Sequence, residues 1–184
     1  ITLSRYRNRF PLKYTAMRLV ILCSDDVFAG ILAHKLLQEQ GQDIIAVLVQ
    51  SDIMMTGKTP WQTLKFVASK SGWRYPLYQA IELMGYGVVE QVRPWLGLNR
   101  EPDRYLARPT RLAIKYNLNC RKIGQIHDPK QLDYIRELAP DLIISLRFSQ
   151  IIKSELLDIP RYGIINFHGA MLPQYAGLGS VFQA

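Results

Sequence analysis

Histidine, cysteine and acidic side chains are scarce in this chain. Three His, two Cys and 15 Asp or Glu occur among 184 residues, against 23 Lys or Arg. The cysteines, Cys23 and Cys120, are far apart in sequence and no Cys-x-x-Cys pair exists. Each lies in or beside an apolar strand-like stretch, which predicts buried free thiols in a reducing compartment. His34 falls on a helical stretch and His127 in a loop. Neither has a partner at metal-ligand spacing, so no metal site is expected. No apolar run approaches the ~20 residues that a membrane-spanning helix needs. The longest, Leu19 to Cys23 and Ile44 to Val49, read as core strands. A nucleotide-binding P-loop is excluded as well. Gly57-Lys58-Thr59 has the tail of one, but Asp52 stands where the upstream Gly is required. No repeat or low-complexity tract is visible.

The length suits one domain that buries roughly two-thirds of its unfolded surface. A net charge of +8 and a pI near 9.6 favour anionic partners such as phosphates, polyglutamyl folate or RNA. The charges are spread along the chain, which a solvated basic surface explains equally. Residues 1–16 are basic and contain no acid. They read either as a transit peptide or as an extension preceding a natural start at Met17, and organellar targeting stands beside a cytoplasmic location.

From Met17 onward the pattern is that of a doubly wound sheet. Met17 to Cys23 is a compact apolar strand, and Ser24-Asp25-Asp26 is a turn and helix N-cap signal. Val27 to Leu37 has helical spacing and ends at Gly41, a C′ candidate. Ile44 to Val49 is a second strand. Uninterrupted apolar strands separated by a helix predict a parallel sheet covered on both faces. Residues 51–108 break the alternation. Helical patterns start at Thr59-Pro60 and at Pro76, the second interrupted by Gly85-Tyr86-Gly87, and the segment reads as a helical insertion without a strand. Its aromatics, Trp61, Trp73, Tyr75, Tyr78, Tyr86 and Trp95, form either a small satellite core or a surface for an acceptor or partner. Alternation resumes with a helix over Thr110 to Asn117, a strand over Cys120 to Ile123 and a helix after Asp128-Pro129. A buried strand over Leu142 to Leu146, a short helix over Lys153 to Leu157 and a strand beginning at Gly163 complete the pattern. The fold class is α/β, Rossmann-like, with a mostly parallel sheet, helices on both faces and a helical insertion.

The last residues carry the chemistry. Gly163-Ile-Ile-Asn166-Phe-His168 is an apolar strand ending in an amide and an imidazole two residues apart, hence on one face. A loop rich in Gly and Pro follows at the carboxyl end of the strand, where open α/β sheets bind ligands. Asn166, His168, Leu172, Pro173, Tyr175 and Gly177 match a motif that reads roughly Asn-x-His-x-Ser-x-Leu-Pro-x-aromatic-x-Gly-x-x-Pro. This stretch resembles the formyltransferases that use 10-formyltetrahydrofolate. The resemblance extends to the element order from Pro109 and, through Phe28-Ala29 after the first strand, to the methionyl-tRNA branch. Two positions depart: Ala170 replaces the usual Ser, and Ser180 a common Pro. The family completes its site with an Asp further on, and this chain stops at Ala184, within what reads as a helix beginning near Leu178. The domain over residues 17–184 is thus expected to be incomplete, with the last sheet elements missing.

The resemblance implies catalytic roles for Asn166 and His168. The Asn166 amide donates to the developing oxyanion, and His168 stabilises the same oxygen or relays a proton. By itself, His168 also reads as a satisfied histidine at a strand end, and Asn166 as a turn residue. The family holds the pterin of its co-substrate through backbone groups after the fourth strand, here Arg147, Phe148, Ser149, Gln150, Ile151 and Ile152. Backbone groups can read a planar heterocycle edge while apolar side chains enclose its faces. Arg147 reads either as a contact to the folate glutamate tail or as a solvated cation. Leu172 and Pro173 shape the loop around the reacting centre, and Tyr175 is a packing residue or a ligand contact. The implied activity is formyl transfer from 10-formyltetrahydrofolate to an amine on an amino sugar, methionyl-tRNA or a small metabolite. The rival reading is a truncated, non-catalytic domain that binds folate or a partner. The sequence leaves the oligomeric state open.

Overall fold

The computed structural model describes residues 16–50, 59–92, 95 and 107–168. The chain divides into two compact units, residues 1–51 with 106–166 and residues 52–105 with 167–184.

The first unit is built on strand β1, Leu19–Ser24, whose apolar run has no polar face. Val20, Ile21, Leu22 and Cys23 are fully buried. At ~1.5–3 kcal/mol for each large apolar side chain removed from water, such a strand is stable only when both of its faces are covered. It lies between β2, Ile44–Gln50, and β4, Leu142–Leu146. The pairing to both is parallel: Ile21 stands opposite Val47 on one side and Ile144 on the other. Strand β3, Asn119–Ile123, pairs outside β2, and β5, Ile164–Phe167, lies outside β4. The result is a five-stranded all-parallel sheet of order β3-β2-β1-β4-β5.

Alternation along the strands divides the core in two. Ile21, Cys23, Val47, Val49, Ile144 and Leu146 pack against α1, Val27–Gln40, and α4, Pro109–Lys115. Val20, Leu22, Leu48 and Ile143 pack on the other face against α5, Pro129–Glu137, and α6, Ser154–Leu157. Helix ends follow local chemistry. Asp26 caps α1 by accepting the Ala29 N–H at 2.8 Å. Asn117 adopts a left-handed φ of 52° after α4, and the Leu118 N–H reaches back to the Ala113 carbonyl at 2.8 Å. The Arg18 guanidinium donates to the Leu138 and Ala139 carbonyls where α5 ends, opposing the negative end of that helix.

In the second unit the described residues form two helices that pack on each other, α2, Pro60–Ser71, and α3, Arg74–Val92. Thr59 and Gln62 make a reciprocal capping box before α2, and Gly72 follows it with φ 69°. The expected interruption at Gly85-Tyr86-Gly87 does not occur, and α3 runs through it. Glycine costs only about 1 kcal/mol against alanine within a helix, less than the loss of the turns on either side. Gly41 also differs from expectation. It is right-handed, with φ −57°, and enters a short 3-10 turn over Gly41–Asp43. Both cysteines are unpaired, but only Cys23 is buried. Cys120 is exposed because β3 is an edge strand with little covering it. Burial pushes the Cys23 thiol well above its usual range, with Asp25, Cys120 and Asp26 adding in that order. Among the described residues no helix is long and apolar enough to cross a membrane. Residues 1–15 lie outside the described part.

Helix α1 approaches the segment before α4 so closely that a Cβ on Gly30 would stand 1.9 Å from the Ala107 carbonyl oxygen. Gly30→Ala is therefore expected to destabilise by roughly 1–3 kcal/mol, because the clash with backbone outweighs the gain of about 1 kcal/mol in helix propensity. Urea unfolding checks this. A midpoint equal to or above that of the parent would show that the Ala107 segment moves aside at little cost.

Candidate functional site

The strand order turns back between β1 and β4. The chain winds outward through β2 and β3, then returns to β4 and β5 on the other side. Ligands of open α/β sheets bind beyond the strand carboxyl ends at such a reversal. Cys23 and Leu146 are paired there, so the turn after β1 and the loop after β4 are neighbours.

The loop is residues 147–152, and its side chains are used to hold it. Arg147 turns the chain with φ 52°. Its Nε donates to Asp26 Oδ2 at 2.9 Å, and its guanidinium lies 5.2 Å from the centre of the Phe28 ring. Arg147 thus points back to the turn after β1 and is neither wholly solvated nor extended outward. Phe148 and Ile152 pack on the second core cluster. Gln50, the last residue of β2, accepts the Ser149 N–H at 3.2 Å and donates to the Ser149 hydroxyl at 2.7 Å. Gln150 reaches the end of β3, donating to the Gly124 carbonyl at 2.7 Å and accepting the Ile126 N–H at 2.8 Å. His127 Nε2 lies 2.8 Å from the Ile151 carbonyl, so this nitrogen must carry the proton, and Nδ1 lies 3.9 Å from Glu155 Oε2. Ser149 is exposed but tied to Gln50, and the apolar Ile151 side chain is 81% exposed. The loop is thus fixed with its Ser149 N–H and Ile151 carbonyl engaged and an apolar side chain left exposed.

Beside it, Ser24 donates its hydroxyl to Asp26, and Asp25 accepts the Thr110 hydroxyl at 2.9 Å. The acidic turn is therefore engaged in holding α1 and α4. On β5, Ile164 packs on the second core cluster, and Asn166, two residues on, is exposed on the same side of the strand. Phe148 and Ile152 pack on that same cluster, which brings Asn166 and the loop to one side and one end of the sheet. His168 follows β5 directly and is half-buried. Leu172, Pro173, Tyr175 and Gly177 lie outside the described residues.

Other candidates resolve differently. His34 is buried on α1 and meets Tyr116 edge-on, with ring centres 6.3 Å apart. No group of three His, Cys, Asp or Glu suited to a metal occurs among the described residues. Trp61, Trp73 and Trp95 are exposed, Tyr78 is partly buried, and the side chains of Tyr75 and Tyr86 lie outside the described part. On α3, Leu77, Ile81, Met84, Val88 and Val92 recur at helical spacing and are exposed too. A shallow groove lined by Arg136, Ala139, Glu155, Asp158 and Ile159 lies where α5 and α6 end, at the amino-terminal side of the sheet.

Sequence reasoning missed the tethers. Asp26 read only as part of a cap signal and His127 as a loop residue, and Gln50 fell just past the strand read over Ile44 to Val49. No local pattern announces a glutamine that braces a loop 99 residues away.

The formyl transferase family model matches residues 17–184. Among curated proteins, a methionyl-tRNA formyltransferase of Geobacter sulfurreducens is 34% identical over 98 residues, covering 49% of this chain and 31% of its own length. Another, of Acetivibrio thermocellus, is 39% identical over 69 residues, covering 38% of this chain and 22% of its own length. The matches thus span about a fifth to a third of these relatives. A solved structure, glycinamide ribonucleotide transformylase 1 from Geobacillus kaustophilus, superposes with a TM-score of 0.48 at 12% identity, covering 91% of this chain and 66% of that one. With nearly its whole length from Met17 matched by the family model, the chain belongs to the formyl transferase family.

The Gln150 tether gives the site a stability test. The Ile126 N–H that it satisfies belongs to a fully buried residue. Gln150→Ala is expected to lower stability by about 1–3 kcal/mol, the cost of stranding a buried donor. Denaturant unfolding with amide exchange at Ile126 measures it. An unchanged midpoint and an unchanged Ile126 would mean that water replaces the glutamine.

Proposed function

We propose that this member of the formyl transferase family binds 10-formyltetrahydrofolate at the 147–152 loop and takes part in passing its formyl group to an amine. The observation that carries the reading is the loop itself, fixed at the strand reversal by Asp26, Gln50 and Gly124 with the Ile151 side chain exposed, on the same side of the sheet as Asn166. In this reading the loop backbone takes the hydrogen-bonding edge of the pterin. Ile151, and Leu172 and Pro173 further on, enclose its faces.

The chemistry requires the neutral amine to attack the formyl carbon. A tetrahedral oxyanion forms, the bond from carbon to folate N10 breaks, N10 gains a proton and the amine loses one. Asn166 donates its amide N–H to the oxyanion, a contribution worth roughly 3–4 kcal/mol where one such donor has been removed. His168 stabilises the same oxygen as a cation or carries the proton towards N10, imidazole being the side chain that titrates nearest neutrality. The amine's proton goes to a base that the family places beyond His168, at the Asp of its motif.

The acceptor belongs to the same proposal. The curated relatives are named for methionyl-tRNA, and a net charge of +8 supports an amine carried on an anionic molecule of that kind. Folate and acceptor are thus the partners of this reading.

The test uses the full protein that carries this chain. Asn166→Ala and His168→Ala should each lower turnover, read as release of tetrahydrofolate, by roughly 10²-fold or more. Calorimetry with a stable formyl-folate analogue should show affinity within a few-fold of the parent. Wild-type turnover in either variant, or a parent that binds no formyl-folate analogue, would overturn the reading.

A further inference from the structure

We infer that the Asp26–Arg147 ion pair is a positioning clasp, which ties the turn after β1 to the start of the 147–152 loop and so sets the loop's shape for its ligand. The ligand side of this inference rests on the folate reading above, while the clasp stands on the geometry alone.

Arg147 holds a left-handed backbone, φ 52°, that residues with a Cβ rarely adopt. Glycine is the usual occupant of such a position. An arginine is held there by its far end. Nε donates to Asp26 Oδ2 at 2.9 Å, and the guanidinium stands over the Phe28 ring. The two side chains are 30% and 22% exposed, so solvent screens them less than it does a surface pair. The anchor is itself fixed. Asp26 accepts the Ala29 N–H as the cap of α1, receives the Ser24 hydroxyl, and sits where the positive end of that helix favours a carboxylate. Gln50, Gln150 and His127 secure residues 149–151 to the ends of β2 and β3 and the segment beyond. The clasp secures the entrance of the loop to β1, across the reversal of strand order. Arg147 is thereby occupied at home, and its effect on a ligand passes through the backbone of Phe148 to Gln150. It is a positioning residue.

Two variants of the full protein separate the clasp from simple loss of fold. Arg147→Gly accepts the left-handed backbone and removes the guanidinium. Asp26→Asn keeps a capping side chain and removes the charge. Both should leave the melting temperature near that of the parent while amide exchange across Phe148 to Ile152 quickens roughly tenfold, a local opening. The dissociation constant of a stable formyl-folate analogue, and KM for the folate, should rise about tenfold with kcat little changed, the scale of one lost charge-assisted hydrogen bond. Arg147→Lys, which keeps a cation, should recover part of the loss. Unchanged exchange across the loop in both variants overturns the clasp. Faster exchange with unchanged analogue affinity overturns its coupling to the ligand. A parent that binds no analogue removes the folate reading, and the exchange arm still decides the clasp.

Discussion

Everything at the candidate site depends on the burial of β1 from both sides. Val20 to Cys23 are fully buried, and no register of this strand turns a polar face to water. It must therefore lie at the centre of a sheet with helices above and below. That requirement places β2 and β4 on either side of it, in parallel. Parallel pairing makes all carboxyl ends emerge together, and the return of the chain from β3 to β4 makes the reversal fall beside β1. The hydrophobic effect thus chooses where the polar chemistry can stand.

The site is then fixed by side-chain hydrogen bonds that reach every neighbouring strand end. Asp26 follows β1, Gln50 ends β2, Gly124 and Ile126 follow β3, and all three regions hold the loop that follows β4. A loop of six residues would ordinarily lose binding energy by ordering itself around a ligand. Here that ordering is part of folding. The expense appears at Arg147, whose backbone is kept left-handed by its neighbours.

The sheet was legible because its signals are local. Apolar runs such as Leu142 to Leu146, the cap at Asp26 and the Asp128-Pro129 start each declare themselves within a few residues. The helix through Gly85-Tyr86-Gly87 was misread because two glycines look like a break, while the continuing turns on both sides decide the outcome. The exposure of Cys120 was missed because a short apolar strand carries no mark of lying at an edge. Asn166 and His168 were singled out by the motif around them, and the loop by family resemblance. The tethers were not visible at all. Arg147 with Asp26 and Ser149 with Gln50 join residues 121 and 99 positions apart, and only the folded sheet brings them together.

Backbone amide exchange of the full protein, with and without a stable formyl-folate analogue, tests the central claim most directly. The account predicts new protection at Phe148, Gln150, Ile151 and Ile152 and near Asn166, with the helices on the opposite end of the sheet unchanged. Protection confined to other segments, with the 147–152 loop exchanging as it does without ligand, would contradict it.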